Sequence, residues 1–417
     1  MSRNKWYSRR TTFKKSIDPF SLKGLRDFKK RKKSQYSAEQ MYHFAMEAVL
    51  SNNAGIYECL LKNGLDKSDY FPLFGKWKEL YPEQQINRDE IMYYTLYRAA
   101  IIMNHYPMLE IMAKNNLLFY SPRSFREFPW FLTRQFKENK TNFVKAITKY
   151  RHVDEQLLLC SPTLLSMAAA AGNKKLVNEL IAMGANVNGH PWEPDEYIQF
   201  ALYYSTEDMN GVFPQIIYSH LLTDEEKIDM FEFMYSLGAD PGGFTWYLPR
   251  PYQEAAKISP ILLDWFVKKG ENITAQGYEA QFDAVYADNA AVINYLVENN
   301  LIVDTQNYEG KTVLELAALY QHSKSFALLF PHCKKHDVNH YLQLAHREDI
   351  RNFTEEDKQK WYVKQQLDCI ELMLSLGASE KFLEELNRKK YEKEMQRKLE
   401  REKLENDEPT LHVVFSR

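Results

Sequence analysis

One arrangement of apolar and polar positions recurs along the chain. Apolar residues stand at i, i+3 and i+4, and Gly or Asn stands at i+7. The first three copies are Tyr57, Leu60, Leu61, Gly64; Leu109, Met112, Ala113, Asn116; and Val177, Leu180, Ile181, Gly184. Two more are Phe231, Met234, Tyr235, Gly238 and Leu263, Phe266, Val267, Gly270. The last two are Ile293, Leu296, Val297, Asn300 and Ile370, Met373, Leu374, Gly377. The i, i+3, i+4 spacing is one face of a helix. Gly or Asn just past it is the residue type that ends a helix in a left-handed conformation. The pattern therefore predicts a series of helices, each stopped sharply.

A second helix is expected upstream of two such helices. Thr163-Leu-Leu-Ser-Met-Ala-Ala169 precedes Val177, and Thr312-Val-Leu-Glu-Leu-Ala-Ala318 precedes Phe326. Each Thr is placed to cap a helix start, and the paired alanines allow close helix approach. Asn307-Tyr-Glu-Gly310-Lys-Thr312 supplies a turn just before. Degenerate units are expected around Val144–Ile147 and Phe326–Phe330. The step from Gly184 to Gly238 exceeds one repeat of about 33 residues, so an insertion is expected at about 187–225. Helix pairs that recur in this way cannot bury an apolar face singly and must stack. The expected fold class is all-α, a solenoid of about nine helix pairs over residues ~38–380, several of them degenerate.

At these residues the chain resembles the ankyrin repeat family. That family's Thr-Pro-Leu-His-x-Ala-Ala and Val-x-x-Leu-Leu-x-x-Gly-Ala pattern is matched best by 161–189 and 305–330. Gly184-Ala185-Asn186, Gly238-Ala239-Asp240 and Gly377-Ala378 match its end-of-repeat step. Leu164 and Val313 stand where the family has Pro, and Ser166 and Glu315 where it has His. The resemblance implies an ankyrin-type solenoid that binds a protein partner through its turns and first helices. It divides the chain into an arm at 1–37, degenerate repeats at 38–160, clearer repeats at 161–378, and a C-terminal helix and tail at 379–417. The large aromatics in the turns are then the expected partner-binding strip: Trp192, Trp246, Tyr247, Tyr278 and Tyr308.

Charge changes the picture at both ends. Residues 1–33 carry thirteen Lys and Arg against Asp18 and Asp27, so a basic arm precedes an acidic body. Lys29-Lys-Arg-Lys-Lys33 is open to reading as a signal for the nuclear import machinery. Leu22, Leu25 and Phe28 among lysines suit an anionic membrane surface. Nucleic-acid phosphate and an arm with no partner are the other readings. From Glu380 to Glu408 there is no Gly or Pro. Glu384 with Arg388, Glu385 with Lys389 and Glu394 with Lys398 are favourable i, i+4 pairs. Leu386, Tyr391, Met395 and Leu399 hold no heptad, so a charged single helix is expected rather than a coiled coil. The acidic block Glu402, Glu405, Asp407, Glu408, followed by Val413, Val414 and Phe415, is similar to the C-terminal signals of type IV-secreted effectors of intracellular bacteria. That resemblance implies a protein made in a bacterial cytoplasm and delivered into a host cell; the alternative is a protein cytoplasmic throughout.

Candidate chemistry is sparse. No phosphate loop, dinucleotide fingerprint, nucleophile elbow or zincin motif is present, and no cofactor is expected. His332, Cys333, His336 and His340 are the densest group of metal-ligand types, with His346 further on. A cap at Asp337 would leave three of them in a turn, and no metal is expected there. Cys59, Cys160, Cys333 and Cys369 form no C-x-x-C pair, and Cys160 and Cys369 read as core. The function expected is that of a protein-interaction scaffold. The alternative is an effector enzyme with a cryptic site in the degenerate N-terminal region or the 187–225 insertion.

Overall fold

The computed structural model describes residues 51–65, 96–115, 127–155, 162–189, 211–242, 250–275, 279–334, 337–346 and 359–407, with Gly277 and part of 41–49. The regular structure among these residues is helical, with no strand, and within each unit most of the helices follow one another in pairs joined by short turns. The chain forms two compact units, divided after Ala239.

In the first unit α1 spans Ala54–Lys62, α2 Leu96–Met103, α3 Tyr106–Lys114, α4 Glu127–Lys137 and α5 Asn142–Ile147. Then come α6 at Leu164–Ala170, α7 at Lys174–Ala182, α8 at Val212–Ile217 and α9 at Asp224–Ser236. First helices pack in one row, α4 on α6 on α8, and second helices in another, α1 on α3 on α5. All seven residues of α6 are buried, because its alanines let neighbouring helices close on both sides. Thr163 caps α6 by accepting from the Ser166 N–H. The stretch 187–225 is partly a repeat in its own right. Its α8 packs against α6 and pairs with α9. The Val212 N–H donates to the Asn188 carbonyl at 3.1 Å, so the two flanks of 190–210 meet. Residues 190–210 lie outside the described residues.

In the second unit α10 spans Pro251–Ile258, α11 Pro260–Lys268, α12 Ala280–Tyr286, α13 Ala290–Glu298 and α14 Val313–Leu319. They are followed by α15 at Ser323–Leu329, α16 at Val338–Ala345, α17 at Trp361–Ser375 and α18 at Glu380–Asp407. The rows here are α10, α12, α14, α16 and α11, α13, α15, α17. Helix α18 does not simply trail from the last pair. Its start packs on α16 and occupies the next place in the row of first helices. Thr312 and Glu315 form a reciprocal capping box at α14, and Asp337 caps α16 through the Asn339 N–H.

Two sets of polar contacts set the register. Second helices stop where the sequence pattern places the stop, with positive φ at Gly64, Gly184, Gly238, Gly270, Asn300 and Gly377. Asn116 lies outside the described residues. At each stop the carbonyls of positions i+3 and i+4 are satisfied, as where Ala185 donates to Leu180 and Gly184 to Ile181. The second set ties repeats together at the turn between paired helices. Here a side chain of that turn donates to a carbonyl at the end of the preceding first helix or just beyond it. His105 Nδ1 reaches Val49 at 3.1 Å, Asn173 Nδ2 Phe136 at 2.7 Å and Ser219 Oγ Ala170 at 2.6 Å. In the second unit Asn289 Nδ2 reaches Lys257 at 3.0 Å and His322 Nδ1 Val285 at 2.8 Å. Because a carbonyl only accepts, both histidines carry their proton on Nδ1 in these bonds.

Candidate partner-binding surface

Among the described residues, the turn between α13 and α14 is a well-formed exposed feature. Gln281 on α12 grips the segment leading into it. Gln281 Nε2 donates to the Val303 carbonyl at 2.9 Å and to Thr305 Oγ1 at 3.0 Å, and Gln281 Oε1 accepts from the Val303 N–H at 2.9 Å. Asn307 closes the turn itself. Its Oδ1 accepts from the Glu309 and Lys311 amides at 3.0 and 2.9 Å, while the Gly310 N–H donates to its carbonyl at 2.9 Å. Asn307 Nδ2 donates to the Tyr286 hydroxyl at 2.8 Å. Tyr308 stands at the tip with 90% of its surface exposed. A large side chain held in water on a turn fixed from three sides is preorganised for contact, because little backbone freedom remains to be lost.

Tyr286 links the turn to a neighbouring ring. It meets Tyr320 edge to face at 5.5 Å, and Tyr320 stacks on His322 at 5.9 Å. Tyr320 keeps 38% exposure. Burial pushes the Tyr286 phenol up to about 12, so it is neutral at physiological pH. Of the predicted strip, Tyr308 is placed here. Trp192, Trp246, Tyr247 and Tyr278 lie outside the described residues. Sequence reasoning missed Tyr286 and Tyr320. Tyr286 is the last residue of α12 and Tyr320 the C-cap of α14, one repeat position apart, so no shared sequence position marks them.

A polar cluster joins α10 to α12. Gln253 Nε2 donates to Asp283 Oδ2 at 3.1 Å, and Lys257 Nζ lies 2.8 Å from the buried Glu254 and 3.6 Å from Asp283. Burial raises Asp283 to about 6, against the opposing pull of Lys257. His340 Nε2 lies 2.8 Å from Glu315 Oε1, and burial pushes the Cys333 thiol up to about 11. His336 and Cys160 lie outside the described residues, as does the basic arm. Cys369 is buried in α17, where desolvation lifts its thiol to about 12. Among the described residues no three metal-ligand side chains converge, and no helix is long and apolar enough to cross a membrane.

No protein-family model matches the chain, and no curated protein matches it. Among solved structures it is similar to the human ASB11 ankyrin repeat domain. The two are 14% identical, the match covers 70% of this chain and 99% of that one, and the TM-score is 0.35.

Proposed function

We propose that the chain is a protein-interaction scaffold and that the surface around Tyr308, Tyr286 and Tyr320 is a principal contact. One observation carries this reading: Tyr308 is almost wholly exposed on a turn locked by Asn307 and Gln281. Trp and Tyr anchor interfaces because they bring large area at small entropic cost. The sequence offers Trp246, Tyr247 and Tyr278, with Trp192, as further members of the same proposed strip. A photo-crosslinking amino acid placed at 308 should label one partner reproducibly, and the same group at the exposed Glu298 should not. Equal labelling from both positions would remove this surface from the account. Trp246→Ala and Tyr278→Ala should each weaken the same binding by about 1–3 kcal/mol with the melting temperature unchanged.

The finer reading is that the protein is a bacterial effector acting on a host protein. Its support is the acidic block ending at Glu408 and the apolar Val413, Val414 and Phe415. Removing ~400–417 should stop delivery into host cells and leave the melting temperature intact. Normal delivery of the shortened chain would end this reading.

A further inference from the structure

Helix α18 begins inside the stack and then leaves it. Leu383 and Asn387 are buried, and Asn387 Oδ1 lies 2.7 Å from His346 Nε2 just past α16. From Tyr391 to Glu400 every residue is exposed. Three of them are large and apolar: Tyr391, Met395 and Leu399, with 50, 40 and 53% of their surface in water. They stand at i, i+4 and i+8 and so form one stripe.

The charges beside this stripe are arranged symmetrically. Glu392 lies three residues before Met395 and Lys398 three residues after it. We propose that the stripe pairs with the same stripe of a second copy of this chain, antiparallel, about a two-fold axis at Met395. An isologous contact requires a surface that complements itself under rotation. In that arrangement Met395 meets Met395 of the second copy and Tyr391 meets Leu399 of the second copy. Glu392 then faces Lys398 of the second copy at both ends. A parallel pairing would instead set like charges side by side. Long-range repulsion does not oppose the approach, because residues 380–407 hold nine Lys and Arg and nine Asp and Glu.

Spacing by four sets the form of the contact. Ridges of i±4 residues interdigitate with the helices crossed at roughly 50° rather than wound in a long supercoil. The contact is then limited to about three turns, smaller than the roughly 1,000 Å² expected of a firm interface. A weak, concentration-dependent dimer follows.

Sedimentation equilibrium of the full chain at low salt tests this. The apparent mass should climb from 49.3 kDa toward twice that value as concentration rises. Met395→Glu should hold the chain at one copy. Glu392→Lys and Lys398→Glu should each weaken dimerisation by about tenfold or more, and the double variant should recover it. All these positions are exposed, so the melting temperature should not move. A single copy at every concentration, association undisturbed by Met395→Glu, or a double variant no better than the single ones would each overturn the proposal.

Discussion

Gly184 and Gly189 both sit at positive φ, 94° and 70°, yet a side chain would cost different things at the two positions. At Gly184 an added Cβ meets nothing within 4 Å, so the cost is conformational alone. At Gly189 the same atom would lie 2.2 Å from Ser166 Oγ and 3.2 Å from the Val212 nitrogen. Gly184→Ala should therefore lower stability by about 1 kcal/mol and Gly184→Val by that or more. Gly189→Ala should cost at least about 2 kcal/mol, because strain is added to the backbone penalty. Denaturant melts of the three variants check the order; equal losses for the two alanines would mean that the chain relaxes around Gly189. The inter-repeat caps make a second prediction at this scale. Asn289 both caps α13 and donates to Lys257, so Asn289→Ala should cost about 2 kcal/mol, a cap and a hydrogen bond together. A loss of only a few tenths would show that water replaces both. The stops at Gly184 and Gly238 were legible because glycine advertises positive φ. Those at Asp288 and Gln321 were not, because their residue types do not.

Between α10 and α12, stability should follow pH through one carboxyl. Asp283 titrates near 6 in the folded chain, above its ordinary value of 3.8, because burial penalises its charge. The folded state then binds the proton more tightly than the unfolded one. The contribution of this group is complete below about 4 and is lost as pH rises through about 6. Asp283→Asn keeps an acceptor for Gln253 and removes the buried charge. It should stabilise the chain by about 3 kcal/mol at pH 7 relative to wild type, with the difference closing near pH 4. A constant difference across that range would mean that Asp283 does not titrate as described. Whole elements varied in how plainly the sequence showed them. Helices α6 and α14 carry Thr caps and paired alanines and were read directly. Helix α8 carries neither: Gly211 precedes a Val-Phe-Pro start, and it was absorbed into the 187–225 insertion. Helix α18 was read as a charged single helix, but its docking on α16 rests on Leu383 and Asn387, too few residues to mark a periodic face.

At the scale of the molecule, a stack of helix pairs has mostly neighbour-to-neighbour contacts, and its turns are left free to carry binding side chains. Position in the repeat made Tyr308 a candidate from sequence. What singles it out is the network from Gln281 through Asn307 to Tyr286, assembled from residues about twenty or more positions apart. No local pattern encodes that network. Calorimetric titration of the partner labelled from position 308, comparing wild type with Tyr308→Ala and Tyr320→Ala, is the most direct test of the central claim. The account predicts affinity weaker by about 1–3 kcal/mol for each variant at an unchanged melting temperature. Undiminished affinity, or a loss that merely tracks a fall in the folded fraction, would contradict it.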